Sequence, residues 1–169
     1  GFRDISHQSG SFFSRRQVGR GAAFGDYDND GDTDVLIACN NQPAILLRND
    51  SPQRHQWIRL ALEGAGCNRD ALGTRVQVKA KITVADKLLT QTQVMRSGTS
   101  YMADHDRRLV FGIGKAQQAP VEVKWPCGAV QKLTAAAGTT TAIKEIGCKI
   151  HKRAKRRGSA MGESVAKQT

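Results

Sequence analysis

A chain of 169 residues with 39% hydrophobic content can bury one ordinary core, or one core plus a fragment, and no more. No apolar run is long enough to cross a membrane as a helix, and the absence of any C-x-x-C spacing disfavours a zinc site. The formal charge of +11 calls for anionic partners or a solvated basic segment, while seventeen glycines among many Thr and Val residues favour strands and tight turns.

The chain opens on Gly1-Phe2-Arg3-Asp4-Ile5 rather than Met and carries no leader. It is therefore expected to be the C-terminal part of something longer, with any secretion signal upstream. Residues 21–25 are small and apolar and read as a strand. Then comes Asp26-Tyr27-Asp28-Asn29-Asp30-Gly31-Asp32-Thr33-Asp34, five carboxylates in nine residues. Such like-charge crowding calls for a bound cation. In the spacing D-x-D-x-D-G-x-x-D, Asp26, Asp28 and Asp30 can curl around one centre. Gly31 permits the reversal, Asp32 offers its main-chain carbonyl, and Asp34 closes the shell. Hard oxygen donors at this spacing suit calcium better than zinc or copper. The loop is no EF-hand, because its twelfth position is Ile37 instead of a bidentate Glu, and residues 35–39 read as a buried strand. The loop thus joins two strands in a hairpin, and its metal is structural.

A third short strand is expected over 44–47, followed by a polar linker at 51–54. Residues 57–62 alternate and begin a second unit. Further strands are expected over 75–84, 87–95, 109–111, 121–125, 130–133 and 139–146, with no long amphipathic helix. Short, regularly interrupted strands of this kind imply an antiparallel sandwich or a partly closed barrel. From Lys149 onward there are seven Lys or Arg against a single acid. That run could grip a polyanion such as a glycosaminoglycan or nucleic acid, or be a solvated, disordered tail; its low complexity favours the tail, so nucleic acid is not the expected partner.

No arrangement of catalytic groups stands out. Ser97 and Ser100 lack a nucleophile elbow. Asp104-His105-Asp106 could act as an acid–base or metal cluster if a turn brought its side chains together, but reads more simply as a solvated turn. Cys39 ends an apolar strand and reads as a core residue.

Two stretches carry a family resemblance. Gly19-Arg20-Gly21-Ala22-Ala23-Phe24-Gly25 followed by the acidic loop resembles an FG-GAP (VCBS-type) repeat, the unit of integrin-like β-propellers. Asn68-Arg69-Asp70-Ala71-Leu72-Gly73-Thr74-Arg75-Val76, Arg96-Ser97-Gly98-Thr99-Ser100-Tyr101, Leu109-Val110-Phe111-Gly112-Ile113-Gly114 and Val123-Lys124-Trp125-Pro126-Cys127-Gly128 resemble the ASPIC/UnbV domain. The resemblance implies an all-β chain. A partial propeller blade over 1–50 would precede an antiparallel β-sandwich or barrel-like domain over 51–148 and a disordered basic tail over 149–169. It further implies an extracellular or envelope-associated, calcium-stabilised, non-catalytic binding or adhesion module. Its partners would be an unidentified protein or carbohydrate and upstream blades of the same protein. Cys67 and Cys127 stand where the family more often has a small polar residue. They are either a disulfide joining two loops or two half-buried thiols that stay apart. A single blade cannot cover both its faces, so Phe12, Phe13, Phe24, Val35 and Ile37 need either upstream blades or the second domain to pack against.

Overall fold

The computed structural model describes residues 1–52, 55–66, 68–81 and 88–147. Two 3-10 turns, Ser6–Gln8 and Ser11–Ser14, precede ten strands. These are β1 (Gly19–Gly25), β2 (Asp34–Cys39), β3 (Ile45–Leu47), β4 (Gln56–Glu63), β5 (Arg75–Lys81), β6 (Leu88–Val94), β7 (Leu109–Gly114), β8 (Gln118–Lys124), β9 (Val130–Ala136) and β10 (Thr140–Lys144). They form three sheets in the orders β1-β2-β3, β10-β4-β7 and β6-β5-β8-β9. The all-β expectation holds, and the two larger sheets give the sandwich-like arrangement.

Alternation explains the core. Along β5 the buried positions are Val76, Val78 and Ala80; along β8 they are Ala119, Val121 and Val123. This period of two is what a sheet with one wet face requires. Ile58 and Leu60 of β4, Phe111 and Ile113 of β7, and Ile143 of β10 fill the space from the other sheet, beside Trp125. At one corner, glutamines of β6 join the sheets. Gln91 Nε2 donates to the Gly112 carbonyl at 2.6 Å, and Gln93 Nε2 to that of Val110 at 2.7 Å, covering the open edge of β7.

One pairing departs from the antiparallel expectation. β10 runs parallel to β4, with Thr140 opposite Arg59 and Lys144 opposite Glu63. A parallel pair cannot be closed by a hairpin, and here the whole of β5–β9 serves as the crossover.

The first sheet stands apart from this core: every core residue lies at position 58 or later. Cys39, expected in a core, is a half-buried free thiol for that reason. Cross-strand partners share a face. Leu36 and Leu46 on one face, and Phe24 on the other, are 48%, 44% and 44% exposed. What covers the sheet is at its β1 edge. The Ala22 N–H donates to Ser100 Oγ at 3.3 Å and the Phe24 N–H to His105 Nδ1 at 3.3 Å. The Asp106 N–H returns a bond to the Phe24 carbonyl at 2.9 Å. The approach is close because β1 lacks side chains there: a Cβ on Gly25 would stand 2.9 Å from the Cβ of Asp106. Of the two ways foreseen to cover the blade, packing on the second unit serves the edge and leaves both faces open.

Cys127 is disulfide-bonded. The Cys67–Cys127 pairing foreseen from sequence falls on Cys67, which lies outside the described residues, as do Cys148 and the basic segment 149–169.

Candidate metal centre

The acidic loop connects β1 to β2, and Gly25 pairs with Asp34 at its base. Two residues turn the chain by adopting positive φ, Asn29 at 65° and Gly31 at 98°. The loop is then tied by its own carboxylates. Asp26 Oδ2 accepts the Gly31 N–H at 2.8 Å, and Asp30 Oδ1 accepts the Asp32 N–H at 2.8 Å. Asp34 accepts two bonds at 2.8 Å, from the N–H of Tyr27 on Oδ2 and from that of Asn49 on Oδ1. Asp34 thereby joins the loop to the segment after β3.

Of the four carboxylates expected as side-chain ligands, three converge. Carboxylate oxygens of Asp26, Asp28 and Asp34 lie within 4.8 Å of one another, with Asp26 and Asp34 buried and Asp28 exposed. Asp30 and Asp32 are not in that group; the Asp30 carboxylate is turned to the backbone instead. The decisive atom is Asp26 Oδ1. It is fully buried and has no hydrogen-bond partner among the described residues. A buried carboxylate oxygen left without a donor is costly, and a divalent cation held by the neighbouring Asp28 and Asp34 would satisfy it. All three donors are hard oxygens, which fits calcium chemistry.

The loop rests on the outer face of β4. Because side chains alternate, Ile58 and Leu60 enter the core while Trp57 and Arg59 point the other way. The indole of Trp57 lies against Gly31, where a Cβ would collide with it. The Arg59 guanidinium sits 4.7 Å above that ring and pairs through Nη2 with Asp26 Oδ2. Its Nη1 donates to Asn29 Oδ1 at 3.0 Å and to Thr140 Oγ1 at 3.3 Å. Both partners of the ion pair are almost wholly buried, with side chains 3% and 0% exposed. Arg108 clamps the loop from the second side. It donates from Nη2 to the Asp26 carbonyl at 3.0 Å and from Nη1 to Asn29 Oδ1 at 2.7 Å. Burial, and then the nearby Arg108, pulls the Arg59 guanidinium below its ordinary value, with Asp106 working against them.

Sequence reasoning missed these arginines. The available signal was Trp57-x-Arg59 on an otherwise apolar alternating strand, which marks an outer face too apolar and too charged for open solvent. It also missed the use of Asp104-His105-Asp106. These three do not converge as an acid–base set. His105 receives the Phe24 N–H and stacks edge-on to its ring, with centroids 5.0 Å apart. Asp104 faces Arg107 at 3.6 Å. Asp106 is gripped by Arg108 Nε at 3.0 and 2.8 Å and by Nη2 at 2.6 Å. Burial works to raise the Asp106 pKa, but the bonds from Arg108 outweigh it and the net direction is down. A carboxylate depressed in the folded state contributes stability that is complete above its unfolded pKa of about 3.9 and lost as pH falls through the folded value. Docking of β1 on this segment is thus expected to hold at neutral pH and to weaken only below about pH 4. Asp106→Asn should remove roughly 1–2 kcal/mol at pH 7, allowing for partial exposure of the pair, and less at a pH below about 4. Urea melts at both pH values check this; equal losses at both would contradict it.

Taken together, the molecule is a two-sheet β domain with a strand–acidic loop–strand unit docked on its flank. Residues 64–149 match the ASPIC and UnbV family, and the chain belongs to that family. It is 24% identical over 131 residues to cartilage acidic protein 1 of Homo sapiens, covering 76% of this chain and 19% of that protein. It is 22% identical over the same length to the proteins of that name from Xenopus tropicalis and Mus musculus. The chain therefore spans about a fifth of the length of the curated relatives it matches. Arg108 lies inside the family match, whereas Arg59 and the acidic loop precede it. Among the described residues, no helix is long and apolar enough to cross a membrane.

Proposed function

We propose that this chain is part of an extracellular, non-catalytic binding protein, in which an FG-GAP-type blade, fixed by calcium, is docked on the ASPIC and UnbV domain. The buried, unpartnered Oδ1 of Asp26, on a carboxylate that lies with those of Asp28 and Asp34, carries the calcium reading. The ion would be held by these three carboxylates. It would supply charge neutralisation to a loop whose base is the β1–β2 hairpin, so its work is structural. The open faces of β1–β3 support the propeller reading, since a blade buries such faces against its neighbours. On this view the rest of the propeller covers Leu36 and Phe24, and the assembled surface binds a protein or carbohydrate ligand.

The test is a thermal melt in calcium and in chelator. At a tenfold excess over Kd, calcium should add about 1.4 kcal/mol, a rise of a few degrees in Tm. Asp28→Asn should abolish that rise with little change in the chelated melt, because Asp28 is exposed and its nearest described cation, Arg48, is 4.0 Å away. Asp30→Ala should leave most of it. An identical Tm with and without calcium would remove the metal from this account.

A further inference from the structure

We propose that Arg59 is the internal counter-ion of the acidic loop, holding it folded before a divalent ion arrives and weakening that ion's binding once it does. The inference rests on the divalent-ion reading above and concerns how tightly the loop binds.

The argument is one of charge and fixity. Asp26 is buried at the floor of the loop, and its two oxygens have different roles. Oδ2 takes the Gly31 N–H and faces Arg59 Nη2, Oδ1 has no hydrogen-bond partner among the described residues, and the Asp26 carboxylate has an oxygen within 4.8 Å of oxygens of Asp28 and Asp34. An ion bound there would share one carboxylate with a guanidinium, and two cations on one carboxylate repel strongly where water is excluded. Arg59 cannot swing away to relieve this. It projects from the middle of β4, between β7 and β10, with Trp57 beneath it and Asn29 and Thr140 holding Nη1. Arg108 does not play the same part, although it also touches the loop. Its charge is already met by the two-pronged grip on Asp106, whereas Asp26 is the carboxylate that pairs with Arg59 among the described residues. Arg48, 4.0 Å from Asp28, is paired with Asp50 at 2.7 Å, so among the described residues Arg59 is the buried cation whose carboxylate partner is itself a candidate ligand. Arg59 lets a run of five aspartates adopt its turn without metal, and it places the loop toward the weak end of the range open to oxygen-ligand calcium sites.

The experiment is calorimetric titration of the full chain with calcium chloride, beside melts in chelator, for the parent protein, Arg59→Met and Arg59→Lys. Arg59→Met keeps the bulk and removes the charge. It should bind calcium at least roughly tenfold more tightly, melt lower in chelator, and show a larger calcium-induced rise in Tm. Arg59→Lys keeps a cation without the planar fork and should bind calcium more weakly than Arg59→Met. A methionine variant that is unfolded in chelator and folds on adding calcium supports the proposal equally. A folded methionine variant that binds calcium no more tightly than the parent overturns the proposal and leaves the calcium reading standing, as does one that stays unfolded in calcium. Calcium binding by neither protein overturns both.

Discussion

Asp26→Ala is expected to cost about 3–5 kcal/mol, because it strands a buried guanidinium with no carboxylate. The same change removes the acceptor of the Gly31 N–H and the one buried ligand oxygen that lacks a partner. The loss should be local. Asp26 ties the loop to β4, but the core between the two larger sheets draws nothing from residues before Ile58. Hydrogen exchange should therefore lose protection over residues 20–34 and at the Asp106 amide, while Val76, Val121 and Phe111 keep theirs. Asp26→Asn retains an acceptor for Gly31 and should fall between the two. The double variant Asp26→Ala with Arg59→Met should recover part of the loss, since removing both charges leaves no unpaired ion. Unchanged protection at the Gly31 amide in Asp26→Ala would show that this pair does not hold the loop.

Gly31→Ala should be nearly as damaging, at about 3 kcal/mol, because two separate penalties of about 1–3 kcal/mol each add. The first is backbone strain, since φ is 98° and a Cβ disfavours that region. The second is steric, because the Trp57 indole occupies the space a Cβ would fill. The two can be separated. In a Trp57→Ala background the steric part disappears and the strain remains, so Gly31→Ala should cost about half as much there. Urea melts of the four proteins make the comparison. If Gly31→Ala costs the same in both backgrounds, Trp57 is not the constraint. The consequence reaches the candidate metal site, because the Gly31 N–H holds Asp26 Oδ2, while Oδ1 has no hydrogen-bond partner among the described residues.

Both experiments probe the seam between the β1–β3 unit and the two sheets of the core. The seam is polar and edge-on: backbone bonds from β1, the Asp106–Arg108 grip, and the two arginines over the loop. An interface built this way fixes register and orientation, while Leu36, Leu46 and Phe24 on the faces of β1–β3 stay exposed.

Much of the fold was legible in the linear order of residues. The strands expected over 75–84 and 121–125 are found as β5 and β8, each with one wet face, and the turn at Gly31 follows from a glycine amid crowded aspartates. Those features are local: a period of two and a positive φ depend only on adjacent residues. What tertiary structure alone decided is which groups meet across distance. Spacing nominated the side chains of Asp26, Asp28, Asp30 and Asp34 and the main-chain carbonyl of Asp32, yet three of those four side chains converge, because Asp30 is drawn to the Asp32 backbone. The parallel union of β4 with β10 and the approach of Arg59 and Arg108 to the loop are likewise contacts between residues far apart in the chain. Charge pairing and sheet closure depend on through-space distance, and the sequence encodes that only once the core has folded.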